Sequence, residues 1–292
     1  MPERKRVNVA KDVVTQPGRK PKLGQHFLES HSAAVRIVEA LGDMSQSTVL
    51  EIGPGRGALT SLLAARGRRI IAVELDRVMA AQLRMKFSTH PNVEIIEGDI
   101  LKIELDTVFG PKPGTLRPGM IFTPEPVHVV GNLPYYITSD ILLRLLDYHR
   151  YFSTIVIMVQ KEVADRLAAS PGSRDYGLLS ATAQLYARVE KLFTLPPEAF
   201  APPPKVHSSV VRLTIEPRLE SLKVPETEFI SFLKLSFGQK RKTLWNNLKA
   251  QYDEATLRAA LAKSGVKPAV RAEALPLAKS AALFRALHNG NG

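Results

Sequence analysis

One apolar run that breaks on glycines and restarts as a helix constrains this chain more than any other feature. Thr48-Val49-Leu50-Glu51-Ile52-Gly53 reads as a buried strand, Pro54-Gly55-Arg56-Gly57 as a turn, and Ala58 to Arg66 as a helix. The unit repeats. Arg69–Glu74 reads as a strand before a helix at Val78–Phe87, Val93–Ile96 as a strand that ends at Glu97-Gly98-Asp99, and Val127–Val130 as a strand followed by a helix at Asp140–Tyr148. Ile155–Val159 and a helix at Lys161–Ala169 continue the alternation, and Leu178–Ala187 adds a helix. Strands alternating with helices predict a doubly wound, mostly parallel α/β sheet with right-handed crossovers. Val189–Leu195 and Ser209–Ile215 lack a helix between them and predict an antiparallel pair at the edge. From Glu216 onward the pattern is helical only, at 229–237, 244–248, 255–261 and 277–287. The expected organisation is a basic flexible arm over residues 1–22, an α/β domain over 23–215 and a helical domain over 216–292.

Charge is distributed unevenly along this plan. The net charge is +12 over 292 residues. Residues 1–22 carry seven Lys/Arg against two acids, and residues 216–292 carry thirteen against seven, so the body between them is nearly neutral. Basic ends on a neutral body suit a polyanion held by counterion release. The chain has no cysteine, which excludes disulfides, thiolate metal sites and a cysteine nucleophile. Its seven histidines show no ligand spacing, so no metal is expected. No apolar run reaches membrane-spanning length and the basic N-terminus lacks a signal core, so a cytoplasmic location is expected. The Pro/Gly-rich stretch from Phe109 to Pro126 reads as a mobile surface insertion.

Three strand ends converge on one crevice. Gly53-x-Gly55-x-Gly57 lets the backbone approach a ligand, although it departs from the dinucleotide fingerprint G-x-G-x-x-G. Glu74 lies about 20 residues further on, where such folds place an acid against ribose hydroxyls; it is preferred over Asp76 as the nearer acid to the strand end. Asp99 can accept from an adenine amino group. The fourth strand ends in Asn132-Leu133-Pro134-Tyr135. An amide, a carbonyl before proline and an aromatic face suit an exocyclic amine on a flat base. With that clamp beside an adenosine site, S-adenosylmethionine is favoured over NAD.

In order along the chain come Gly24-Gln25-His26-Phe27-Leu28, Glu51-Ile52-Gly53-Pro54-Gly55, Glu74-Leu75-Asp76, Gly98-Asp99, Asn132-Leu133-Pro134-Tyr135, Gln160-Lys161-Glu162, Ala199-Phe200 with Pro202-Pro203-Pro204-Lys205-Val206, and Lys240-Arg241-Lys242-Thr243. This ensemble, over roughly residues 20–275, resembles the ribosomal RNA adenine N6-dimethyltransferases of the KsgA type. The resemblance implies a class I, Rossmann-like S-adenosylmethionine-dependent methyltransferase domain with a small α-helical C-terminal domain. It implies methylation of two adjacent adenines in the 3′-terminal hairpin loop of small-subunit rRNA by a monomer acting on a pre-30S particle. His26, Leu28, Gly53, Glu74, Asp99 and Asn132 would contact the cofactor. Asn132, Leu133, Pro134, Tyr135 and Phe200 would hold the target base, with Tyr135 and Phe200 as its two stacking faces. Lys205, Lys240, Arg241 and Lys242 would bind RNA, as would Arg4, Lys5, Arg6, Arg19, Lys20 and Lys22. The family usually has Asn where this chain has His26, and Asn after the tyrosine where it has Tyr136. The competing readings are a large-subunit resistance methylase, a ribosome-assembly factor with secondary methylase activity and, furthest away, a nicotinamide dehydrogenase.

Overall fold

The computed structural model of the protein describes residues 25–110 and 125–288. The expected basic arm and most of the Pro/Gly-rich stretch lie outside them. Nine strands are present among the described residues: β1 (Phe27–Leu28), β2 (Thr48–Ile52), β3 (Arg69–Glu74), β4 (Val93–Glu97), β5 (Val127–Asn132), β6 (Phe152–Gln160), β7 (Ala187–Leu195), β8 (Phe200–Ala201) and β9 (Ser208–Ile215). Seven of them form one sheet in the order β4-β3-β2-β5-β6-β9-β7. From β4 through β6 all neighbours are parallel; β9 runs antiparallel to both β6 and β7. The late pair thus forms the expected antiparallel edge.

Register brings the strand ends together. Ile52 lies opposite both Val73 and Gly131, Glu74 opposite Glu97, and Asn132 opposite Met158. Strand order reverses between β2 and β5, so the crevice opens at the carboxyl ends of these neighbours. Gly131 is required by this close pairing, because a Cβ there would lie 2.7 Å from the carbonyl oxygen of Ile52.

Strands buried on both faces alternate between two cores. Leu50, Ile71, Val129 and Ile157 face one cluster, and Val49, Ile70, Val130 and Val156 the other. The second cluster packs under α1 (His31–Glu39) and α2 (Ala58–Ala64), where Ile37, Val38 and Leu63 recur at helical spacing. Each such Leu or Ile, essentially without exposure, contributes about 1.5–3 kcal/mol relative to a solvated side chain. α3 (Arg77–Lys86) follows β3, and α4 (Leu105–Phe109) is a short helix that the sequence pattern does not announce. The first cluster packs against α5 (Thr138–Asp147), α6 (Lys161–Leu167) and α7 (Leu178–Tyr186).

Beyond Ile215 every described element is helical: α8 (Leu219–Leu222), α9 (Glu226–Ser236), α10 (Leu244–Leu248), α11 (Glu254–Ser264) and α12 (Leu277–His288), besides one short 3-10 turn. Phe229, Phe232 and Phe284 pack with ring centroids 5.4–6.1 Å apart. Their cluster is continuous with the sheet's first core. The buried Tyr186 hydroxyl also donates to Glu226 at 2.8 Å. The helical region therefore shares a core with the sheet rather than owning a separate one.

Candidate active site

The glycine turn after β2 is a left-handed backbone path. Gly53 and Gly55 have φ of +66° and +57°, which side chains disfavour. At Gly55 a Cβ would also lie 2.9 Å from the Phe27 ring, so this ring rests directly on the turn. The Arg56 guanidinium sits 4.7 Å from the centroid of Phe27, and Lys86 donates to the carbonyl of Arg56 at 3.0 Å.

Glu74 ends β3 and is 3 % exposed. Its carboxylate accepts from the Gly55 N–H at 3.1 Å and from the Asp76 N–H at 2.9 Å. Asp76 is occupied elsewhere: it caps α3, accepting from the N–H groups of Val78 and Met79 at 2.8 and 3.1 Å. Glu74 is thus the acid of β3 that lines the cleft. Asp99 is held by the Leu101 N–H at 3.0 Å and also lines it. Ile100 and the half-exposed Leu75 supply apolar wall. The cleft encloses ≈ 800 Å³ counted out to open solvent. Buried acid, open turn and apolar wall fit a nucleoside with a charged tail.

Beneath the turn lies Glu51, which the sequence pattern shows only as a strand residue. It is 1 % exposed, and its Oε2 has no hydrogen-bond partner among the described residues. Burial pushes its carboxyl up to about 7 from 4.5. Thr60 is the polar neighbour that opposes the shift, yet the Thr60 hydroxyl itself completes no hydrogen bond. We therefore attribute the shift to burial, with the nearby Glu74 adding to it.

The other wall is built by residues 132–135. The side-chain amide nitrogen of Asn132 donates to the main-chain carbonyl of His26 at 2.7 Å. A carbonyl only accepts, so the amide orientation is fixed and Oδ1 remains an acceptor. The carbonyl of Pro134 is already used: it accepts from the Thr138 hydroxyl at 2.9 Å and the Ile137 N–H at 3.3 Å, closing the start of α5. No described residue donates to the carbonyl of Leu133, whose own N–H is held by Met158 at 3.1 Å. Of the carbonyls of Leu133 and Pro134, that of Leu133 is the one free to accept from a ligand. Tyr135 bonds Ser208 through its hydroxyl at 2.7 Å, and burial raises its pKa above 10, which keeps the phenol neutral. Its ring stacks on His26, with centroids 5.6 Å apart and planes 28° from parallel. Tyr136 stands at the mouth, 63 % exposed.

Of the expected residues, His26, Gly53, Glu74, Asp99, Asn132, Leu133, Pro134 and Tyr135 line this one cleft. Two do not. Phe200 is 3 % exposed and packed in the second core. Leu28 is opposite it in the β1–β8 ribbon and is buried in the same cluster. The aromatic–apolar pair closes the core beneath the ribbon, which explains why both side chains point away from the cleft. Lys205 is exposed in a separate groove with Lys161, Asp165 and His207. Lys240, Arg241 and Lys242 are exposed on the turn between α9 and α10, and Lys240 donates to the Arg174 carbonyl at 2.8 Å. The basic positions of the N-terminal arm lie outside the described residues. Sequence reasoning missed Ser208 and Phe27 as supports of the site. Phe27 stands inside a motif that the resemblance singled out, whereas nothing local marks Ser208. Among the described residues no cluster of three His, Cys, Asp or Glu side chains could hold a metal ion, and no helix is long and apolar enough to cross a membrane.

Sheet, switch-point cleft and helical extension together define a class I, Rossmann-like methyltransferase fold. The chain belongs to the ribosomal RNA adenine dimethylase family, whose model matches residues 18–289. It is 60% identical over 276 residues to the ribosomal RNA small subunit methyltransferase A of Koribacter versatilis, covering 94% of this chain and 97% of that one. The protein of the same description from Acidobacterium capsulatum is 53% identical, with 92% of each chain covered. Among solved structures, the 23S rRNA methyltransferase ErmE superposes with a TM-score of 0.67 at 29% identity, covering 90% of this chain and 99% of that one. A dimethyladenosine transferase from Plasmodium falciparum shares the fold, with a TM-score of 0.68 at 24% identity and coverage of 88% and 96%.

Proposed function

We propose that this enzyme transfers methyl groups from S-adenosylmethionine to N6 of two adjacent adenines in the 3′-terminal hairpin loop of small-subunit rRNA. The observation that carries the reading is the fixed side chain of Asn132, whose amide nitrogen is spent on His26 and whose oxygen is left to accept. Relatives described as small-subunit methyltransferases, at 60% and 53% identity, favour this substrate over the large subunit named for the 29% identical ErmE.

When bound, S-adenosylmethionine supplies an electrophilic methyl group. Glu74 would take the ribose hydroxyls, held ready by Gly55 and Asp76, and Asp99 the adenine amino group. The Gly53–Gly57 turn would admit the tail. The target adenine would stack on Tyr135, leaving its stem loop because unstacked loop bases are the ones proteins read on RNA. Adenine N6 is a poor nucleophile while its lone pair is conjugated with the ring. Asn132 Oδ1 and the Leu133 carbonyl would accept its two hydrogens, which draws the nitrogen toward a pyramidal shape and frees the lone pair. The proton released on methylation passes to water, so no side-chain base is required. Most of the rate would come from positioning. Lys205, Lys240, Arg241 and Lys242 would hold phosphates. The enzyme would work as a monomer in the cytoplasm, on a pre-30S particle, with a role in small-subunit biogenesis.

The test uses ribosomal subunits isolated from cells lacking this modification, incubated with labelled S-adenosylmethionine. Mass spectrometry of rRNA fragments should find two adjacent N6,N6-dimethyladenines in the small-subunit 3′ hairpin. Label confined to large-subunit rRNA would replace this reading with the resistance-methylase one.

A further inference from the structure

The proposed chemistry makes no use of the His26 side chain in the cleft. The imidazole of His26 lines it, yet its contacts run sideways to other residues. Nδ1 lies 2.7 Å from the carbonyl oxygen of Pro202, which can only accept, so Nδ1 carries the proton. The ring lies stacked against Tyr135, 5.6 Å between centroids at 28°. The main-chain carbonyl of the same residue accepts from Asn132. His26 therefore touches both groups proposed to hold the target base, and ties them to the Pro-rich segment across the β1–β8 ribbon.

Resting on the function proposed above, we infer that the His26 imidazole is a positioning residue: a backing plate that fixes the Tyr135 ring and leaves only its opposite face for the incoming adenine. The physical reason is geometric. Tyr135 follows Pro134 in a turn, and its hydroxyl is anchored at one point, to Ser208. A ring pinned at its tip and at its backbone can still tilt. A second ring against one face removes that freedom, and the Nδ1–H bond to Pro202 stops the second ring from turning in its place. The two aromatic faces also decide the direction of entry, because a base cannot insert on the side that His26 covers. A misplacement of about 1 Å at a reacting centre is enough to cost catalysis heavily.

The experiment compares His26→Ala, His26→Asn and His26→Phe with the parent enzyme on unmethylated small ribosomal subunits. The readouts are kcat, KM for the subunit, and the dissociation constant of S-adenosylmethionine by calorimetry. The main-chain carbonyl survives all three changes, so cofactor affinity should stay within about twofold. An aromatic contact of about 0.5–1.5 kcal/mol corresponds to roughly two- to twelvefold. The Ala and Asn variants should therefore lose kcat by that factor with little change in KM, and Phe, which restores a ring, should recover most of it. Equal activity in all four proteins overturns the inference. So does a Phe variant as slow as Ala, since the hydrogen bond to Pro202 rather than the stack would then be what matters. A parent enzyme that methylates no small-subunit adenine is a separate outcome, and sinks the proposed function itself.

Discussion

Asn132 and His26, 106 residues apart in sequence, are joined by a 2.7 Å hydrogen bond from the side-chain amide of one to the main-chain carbonyl of the other. The bond does two things at once. It secures the N-terminal segment over the cleft, and it turns the one remaining polar atom of Asn132 into an acceptor. Asn132→Ala removes both. The expected loss in kcat is about 10²–10³-fold, the range seen when a positioned polar group at a reacting centre is deleted. Asn132→Asp is instructive because it is nearly the same size. It puts a carboxylate oxygen against the His26 carbonyl, so it should be no better than Ala. Single-turnover methylation at saturating cofactor measures both, and an active Asp variant would contradict the donor assignment.

Glu74 is both scaffold and proposed ligand. Its two oxygens accept from the N–H groups of Gly55, in the turn after β2, and Asp76, in the turn after β3. Glu74→Ala should therefore weaken S-adenosylmethionine binding and also destabilise the protein without it. Charge-assisted hydrogen bonds are worth about 1.5–3 kcal/mol each to the groups that make them. That corresponds to at least about tenfold in cofactor affinity. Calorimetry and urea unfolding of the cofactor-free protein read the two effects. A variant with weakened binding but parental stability would show that the bracing bonds contribute nothing.

Glu51 gives the protein a pH dependence of opposite sign to ordinary acid unfolding. Its carboxyl is pushed up to about 7 by burial, against 4.5 in an unfolded chain. Between these values the folded protein keeps a proton that the unfolded chain has released. Stability from this group therefore falls as pH rises through that window, and is level above it. At about 1.4 kcal/mol per pH unit the whole effect is at most about 3.5 kcal/mol. Glu51→Gln should match the parent near pH 4.5 and exceed it at pH 8. Comparing urea midpoints of the two proteins at both pH values isolates Glu51 from the other carboxylates. A parent as stable as the Gln variant at pH 8 would rule out the buried proton.

Much of this is legible in the residues, because most of the fold rests on local pattern. The strands around Leu50, Ile71 and Val129 are largely apolar runs, and each ends in a glycine or acid that a helix follows. The convergence of Gly53, Glu74, Asp99 and Asn132 follows from parallel strands in register. What the pattern hides is pairing between distant short segments. β1 and β8 are two residues each, too short for any periodicity, and only their pairing shows that Leu28 and Phe200 face a core. Phe200 reads as a stacking face because it adjoins a Pro-rich segment, and nothing local in the sequence shows that its side chain is buried. Spacing alone leaves the role of Asp76 undecided; its capping geometry settles it. The buried carboxyl of Glu51 is likewise invisible in a strand, where one acid among apolar residues usually marks an exposed position.

The basic turn between α9 and α10 should prove unequal in its parts. Lys240 spends its ammonium on the Arg174 carbonyl, whereas Arg241 and Lys242 are exposed and make no ion pair with any described residue. A side chain already tethered to its own protein is less free to reach a phosphate, and counterions leave the RNA only where a phosphate is neutralised. The dependence of log K on log salt changes by roughly 0.7–0.9 for each phosphate that the protein ceases to neutralise. Removing Arg241 and Lys242 together should therefore flatten the slope by about 1.5, and Lys240→Ala alone by clearly less than one phosphate's share. Filter binding of small-subunit rRNA across a salt series measures the slope directly. If it is the same for all these variants and the parent, the turn does not meet phosphate.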